Sequence, residues 1–230
     1  MKRISRVASA AMACVSAVVL LLAGGAVAAQ QASGAANRLT AEEQAQGWRL
    51  LFDGTSLNGW TRNGTADWQV EDGVITFKTG RGTLQTADSY ENFQLRVDFW
   101  AERTANSGVF VRVSPRGQAN AFYEINIFDT HATAPTGSII AVDAGKPPAP
   151  VMSTLPKRYD TAEKWNSFEI VAKGPQVQVT LNGVVATDTS DDPLKLRSGP
   201  IQLQAGGPDG PGIARFRNIR IKALRNEPAQ

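Results

Sequence analysis

Phe93-Gln94-Leu95-Arg96-Val97-Asp98-Phe99-Trp100 decides the fold class. Phe93, Leu95, Val97 and Phe99 fall on one side of an extended chain, and Gln94, Arg96, Asp98 and Trp100 on the other. That period of two marks a strand with one buried face, because successive side chains of extended backbone point to opposite sides. Similar runs lie at Ser107–Val113, Phe122–Asp129, Trp165–Ala172, Val177–Leu181, Pro200–Ala205 and Ile213–Ala223. Between them stand turn signals. Glu71-Asp72-Gly73 and Leu181-Asn182-Gly183 suit tight hairpins, since Asp-Gly and Asn-Gly tolerate positive φ. Strands joined by short turns, without intervening helices, predict an all-β sandwich of two antiparallel sheets rather than a parallel α/β fold. The one helix signal is Thr40-Ala41-Glu42-Glu43, a capping box that predicts one or two turns ending at Gly47. The stretch Thr130–Thr161 is rich in Pro and Gly and reads as a long loop, either functional or disordered, that follows the strand with the densest polar chemistry.

The N-terminus has a different grammar. Lys2, Arg3 and Arg6 precede an apolar run that includes Val18, Val19, Leu20, Leu21 and Leu22, closing on Ala26-Val27-Ala28. A positive start, a short apolar middle and small residues at a cleavage point predict a secretory signal over residues 1–29. The run is shorter than a membrane-crossing helix requires, so no stable membrane insertion is expected after cleavage. Residues 30–38 read as a flexible leader, and 39–226 as one domain. Cys14, the only cysteine, leaves with the signal. So does the excess charge: the chain carries 24 Lys+Arg and 21 Asp+Glu, and the signal holds three of the basic residues and none of the acidic ones. The remainder balances, without the basic footprint that nucleic-acid binding needs. A periplasmic or secreted location follows from this reading.

Side chains on the faces the core does not use suggest where chemistry resides. Arg96 and Trp100, then Phe110 and Arg112, then Glu124 and Asn126 occupy the outward positions of three runs. If those runs are neighbours in one sheet, they form a surface suited to sugars, with aromatic rings for apolar ring faces and polar groups for hydroxyls. Glu124-Ile125-Asn126-Ile127-Phe128-Asp129 is similar to the E-x-D-x-x-E array of laminarinase-type retaining glucanases, which use paired carboxylates. Asn126 and Asp129 depart from that array. His131, the only histidine, follows two residues later and can move protons near neutrality. No Cys/His metal spacing, phosphate-binding glycine loop or Gly-x-Ser-x-Gly elbow is present.

Several motifs in order resemble one family. Phe52-Asp53-Gly54-Thr55-Ser56-Leu57-Asn58-Gly59-Trp60, Trp68-Gln69-Val70-Glu71-Asp72-Gly73-Val74-Ile75 and Tyr90-Glu91-Asn92-Phe93-Gln94-Leu95-Arg96 open the set. Asn106-Ser107-Gly108-Val109-Phe110-Val111-Arg112 and Tyr123-Glu124-Ile125-Asn126-Ile127-Phe128-Asp129 continue it, and Phe216-Arg217-Asn218-Ile219-Arg220-Ile221-Lys222 completes it. Together, from about Trp48 to Leu224, they resemble the 3-keto-disaccharide hydrolase domain family. The resemblance implies a concanavalin A-like jelly roll and a carbohydrate partner, an oxidised glucoside or disaccharide. It implies an elimination in which the C3 ketone acidifies the C2 hydrogen, the C1 substituent leaves and water adds to the enone. Glu124, Asp129 and His131 are the expected proton-transfer groups and Arg112 the group that polarises the ketone. Asn126, Phe110, Trp100, Asn106 and Arg96 are expected to touch substrate. No cofactor is firmly implied, and a divalent cation near Asp129 is left open. The alternatives are a non-catalytic, lectin-like module on the same face and a retaining endoglucanase.

Overall fold

The computed structural model describes residues 36–115, 120–151, 153–155, 160–207 and 212–225. The expected signal, residues 1–29, and positions 30–35 of the expected leader lie outside the described residues. The chain runs through helix α1 (Ala41–Ala45) and strands β1 (Trp48–Leu50), β2 (Trp60–Gly64), β3 (Gln69–Glu71), β4 (Val74–Thr76) and β5 (Gly82–Thr86). Then follow β6 (Phe93–Ala101), β7 (Ser107–Val111), β8 (Ala121–Ile127), β9 (Ile139–Asp143) and β10 (Ala149–Val151). The last five are β11 (Asn166–Lys173), β12 (Gln176–Leu181), β13 (Val184–Thr189), β14 (Gln202–Ala205) and β15 (Ala214–Ala223). No helix among the described residues is long and apolar enough to cross a membrane.

Two antiparallel sheets stack as a jelly-roll sandwich. One has eight strands, ordered β13-β12-β11-β6-β15-β4-β3 with β1 also on β15; the other has seven, ordered β10-β9-β8-β7-β14-β5-β2. Strand β6 alternates buried and half-buried positions along its whole length, as its sequence predicts. Phe93, Leu95, Val97 and Phe99 meet Val109, Tyr123, Ile125 and Leu203 of the facing sheet in one core. The expected hairpins form at β3–β4 and β12–β13, with Asp72 (φ 50°) and Asn182 (φ 50°) in the left-handed region and a glycine after each. The capping box forms as well: Glu43 N–H donates to Thr40 Oγ1 at 3.1 Å, and Thr40 N–H to the Glu43 carboxylate at 3.0 Å.

Three local expectations change. The stretch 130–161 is not all loop, because β9 and β10 add two strands to the edge of the seven-stranded sheet. Ile139-Ile140-Ala141-Val142 supplies the apolar run, and Pro150 is tolerated on the outermost strand, where a missing N–H costs no ladder bond. Asn37, at the end of the expected leader, is pinned: it exchanges amide bonds with Asn218 at 2.7 and 2.8 Å and donates Nδ2 to Gly73 O at 2.8 Å. Finally, β7 stops at Val111. Arg112 takes φ 53°, which reverses the alternation, so Arg112 turns into the protein and Val113 joins the outer cluster of Phe110 and Phe122.

Candidate functional site

The outward face of the seven-stranded sheet is a cleft whose centre is Glu124. Residues paired across the strands form one row: Thr61, Gln85, Gln202, Phe110, Glu124, Ile140 and Pro150. Two cavities, of about 590 and 400 Å³, open on either side of Glu124 and share Val142 and Gln204 as well. Both lie in the range of small-molecule sites. The larger one spreads over β2, β5 and β14. The smaller is closed by the β8–β9 connection and by Pro148 and Pro150, and it is lined by Asn106, Asn126 and His131.

Glu124 is half-buried, and among the described residues no donor or cation partners its carboxyl. Burial alone pushes its pKa up to about 7. The space for this carboxyl comes from β7. Gly108 stands beside it, and a methyl group built there would lie 2.7 Å from Glu124 Oε1. Gly108 thus serves the carboxyl rather than a turn. Phe110, opposite Glu124, stacks on Phe122 with centroids 4.2 Å apart at 16°, giving the larger cavity a flat apolar platform.

His131 and Asn126 are joined through the backbone of one residue, Ala134. His131 Nδ1 accepts from the N–H groups of Thr133 (3.2 Å) and Ala134 (2.9 Å), while Asn126 Nδ2 donates to Ala134 O at 2.5 Å. With Nδ1 occupied as an acceptor, the imidazole proton belongs on Nε2, the remaining polar atom of the ring. Asn106 lies against Gly207 so closely that a Cβ on that glycine would fall 2.3 Å from the amide carbon. Glu124, His131, Asn126, Asn106 and Phe110 are therefore brought to one cleft.

Four expected site residues are elsewhere. Asp129 is a tether: Oδ1 accepts from Thr136 Oγ1 (2.5 Å) and Thr161 Oγ1 (2.7 Å), and Oδ2 from Thr161 N–H (2.7 Å). Its oxygens are spent on holding two segments together, which also deprives the glucanase reading of its second carboxylate. Arg112, fully buried, donates to the carbonyls of Gly174 (2.7 Å), Leu196 (3.2 Å) and Glu91 (3.2 Å) and cannot reach a ketone in the cleft. Arg96 and Trp100 belong to β6, in the eight-stranded sheet, and face away from the cleft across the sandwich. Arg96 pairs with Glu169 at 2.7 Å and covers Trp48, and Trp100 lies under the Arg215 guanidinium at 4.4 Å. Alternation along one strand separates two faces but does not say which sheet the strand joins.

The sequence reading missed the amides of the larger cavity: Asn63, Gln85, Gln202 and Gln204. Gln202 and Gln204 alternate with Leu203 and Ala205, so their outward position was readable from the run Pro200–Ala205. Among the described residues, no three His, Cys, Asp or Glu side chains come together as a metal-holding group.

With this geometry in place, the comparisons with known proteins fit. The model of the 3-keto-alpha-glucoside-1,2-lyase-like domain matches residues 47–222. A 3-keto-disaccharide hydrolase from Bacteroides thetaiotaomicron is 33% identical over 79 residues, a match covering 29% of this chain and 27% of that protein. A candidate glycosyl hydrolase from Parabacteroides distasonis superposes with a TM-score of 0.64 at 24% identity, covering 83% of this chain and 100% of its own. Carbohydrate-binding module CBM66 from Bacillus subtilis gives a TM-score of 0.54 at 16% identity, covering 72% and 96%. These two structures speak for the jelly-roll fold, while the family match spans nearly all of the described strands. The chain belongs to the 3-keto-alpha-glucoside-1,2-lyase-like domain family.

Proposed function

We propose that this protein is an exported carbohydrate-active enzyme that cleaves 3-keto-glycosides by removing the C2 proton and eliminating the C1 substituent. The observation that carries the reading is Glu124: it is the one carboxyl lining the cleft among the described residues, and it titrates near neutrality. A base with that property is ionised often enough to accept a proton and basic enough to hold it. The family match supports the substrate class, and the N-terminal signal grammar supports export.

Glu124 takes the proton from C2. The C–H electron pair forms the C1=C2 bond in conjugation with the C3 ketone, the C1–O bond breaks, and the departing oxygen is protonated from water in the open cleft. Water then adds across the enone. His131 Nε2–H is the hydrogen-bond donor for the ketone oxygen, where negative charge develops during proton removal. This replaces the role expected of Arg112.

Incubating the protein with 3-keto-trehalose should release 3-keto-glucose, and Glu124→Gln should lower kcat by about 10² to 10⁴-fold. Binding without turnover, equal in the wild type and Glu124→Gln, would sink the enzymatic reading and leave a lectin-like module.

A further inference from the structure

The outer face of the eight-stranded sheet lies across the sandwich from the cleft and carries a line of cations along β15. Arg215 and Arg217 alternate with Phe216 in the usual way, and the bulge at Asn218 (φ 54°) then shifts the alternation by one residue. Arg220 and Lys222 therefore share the face of Arg215 and Arg217. Three of these cations lie over indole rings: Arg215 over Trp100 at 4.4 Å, Arg217 over Trp165 at 3.8 Å and Lys222 over Trp48 at 5.1 Å. A guanidinium stacked in this way is fixed in its plane, while its N–H edge stays free to donate. The acids of the face are engaged by the middle of the line. Glu43 of α1 reaches in from outside the sheet and accepts from Arg220 Nη1 at 2.6 and 2.8 Å. Glu169 accepts from Arg96 at 2.7 Å, and Asp98 lies 3.6 Å from Arg217. Glu102, near the Arg215 end, accepts from the Ile213 N–H at 2.9 Å. Arg215 and Lys222, at the two ends, each have an indole neighbour but no acid among the described residues. The extended chain between them, less the bulge, spans roughly 20 Å.

We propose that this face binds a carboxylated polysaccharide, a chain of uronic acids whose carboxylates meet Arg215 at one end of the line and Lys222 at the other. Carboxylate is the anion that the face already takes, from Glu43, Glu169 and Asp98, and the guanidinium fork matches it. The two cations without an acid are too far apart for one small anion, so a polymer that reaches both gains by avidity over its monomer. The strip between them is charged and polar, without the apolar centre that a protein partner needs. The exposed large apolar side chains among the described residues are Val184 and Val185 on β13, four strands from β15. None stands beside the cations to enter a lipid surface. The indole faces are covered by cations rather than open to nucleobases. The site does not depend on the elimination chemistry, and a polymer held here leaves the Glu124 cleft, on the other sheet, open to substrate.

Electrophoresis in native gels containing polygalacturonate tests this. The polymer should retard the wild type, and long oligogalacturonates should compete where monomeric galacturonate at the same carboxylate concentration does not. Arg215→Gln and Lys222→Gln should each weaken the apparent affinity severalfold, and together about tenfold or more. Lys146→Gln removes the same charge from another part of the surface and should bind as the wild type does. The pair Arg215→Lys with Lys222→Arg keeps both charges and should retain most of the affinity, which separates loss of the site from loss of the fold. No retardation, equal retardation by neutral dextran, or full competition by the monomer overturns the proposal. So does a double Gln variant that binds like the wild type, a Lys146→Gln loss as large as that of Arg215→Gln, or a charge-keeping pair no better than the Gln pair. Tighter binding to phosphatidylserine vesicles or to duplex DNA than to polygalacturonate, lost in the same double variant, overturns the polysaccharide assignment in favour of that polyanion.

Discussion

Burial raises Glu124 from the ordinary carboxyl value of 4.5 to about 7, so the folded protein keeps a proton that the unfolded chain has already released. Between those two values the native state binds more protons than the unfolded state, and stability therefore falls as pH rises. The loss is complete above about pH 7 and is of order 3 kcal/mol for a shift of this size. Glu124→Gln removes the titration and keeps the shape. Its urea midpoint should match that of the wild type near pH 4 and exceed it at pH 8, whereas a group kept for stability would show the reverse. Gly108 belongs to the same argument. Its lack of a side chain leaves room for an uncompensated carboxyl, an arrangement that favours chemistry over stability. In the sequence, Glu124 was recognisable as an outward residue among bulky neighbours. Its lack of a partner was not, because partners come from other strands.

At the level of elements, the seven-stranded sheet holds Glu124, while the β8–β9 connection delivers His131. That connection is fixed by Asp129, whose three accepted bonds join Thr136 and Thr161 to the end of β8. Asp129→Ala should lower stability by about 2–4 kcal/mol, read as a lower urea midpoint. The KM for a keto-sugar should rise as the His131 segment loses its anchor, while the pH at which the rate is half-maximal stays with Glu124. A change in that pH would instead place Asp129 in the proton transfers. Period-two patterns gave β6 well, since it buries one face along its whole length; in β15 a bulge between Arg217 and Arg220, with Asn218 at φ 54°, shifts the alternation by one residue. They failed at Arg112, where one residue at φ 53° interchanges the two faces, a choice that local sequence does not encode in a non-glycine residue.

Across the whole molecule, Arg112 ties the two sheets together. It leaves the end of β7 and binds carbonyls just before β6, between β11 and β12, and in the approach to β14. Gly199 permits the close passage, since a Cβ there would lie 2.2 Å from Val113 O. Arg112→Met would keep much of the volume and strand those carbonyls. The expected cost is about 3–5 kcal/mol, measured as a fall in the denaturation midpoint. For the fraction that stays folded, the pH dependence of turnover should be unchanged. An altered pH dependence would return Arg112 to the chemistry.

The amino-acid sequence by itself determined the all-β class, the Asp-Gly and Asn-Gly hairpins, the capping box and the two faces of β6. Each of these rests on backbone preferences and alternation within a few residues. Tertiary structure alone decided which outward faces share a surface. Phe110, Glu124, Gln202 and Gln85 are neighbours because β14 inserts between β7 and β5, from more than ninety residues away. The same assembly sent Arg96 and Trp100 to the opposite side, although their alternation is as clear as that of Glu124. Strand pairing over such separations is set by how two sheets bury one core, and no local pattern carries that information.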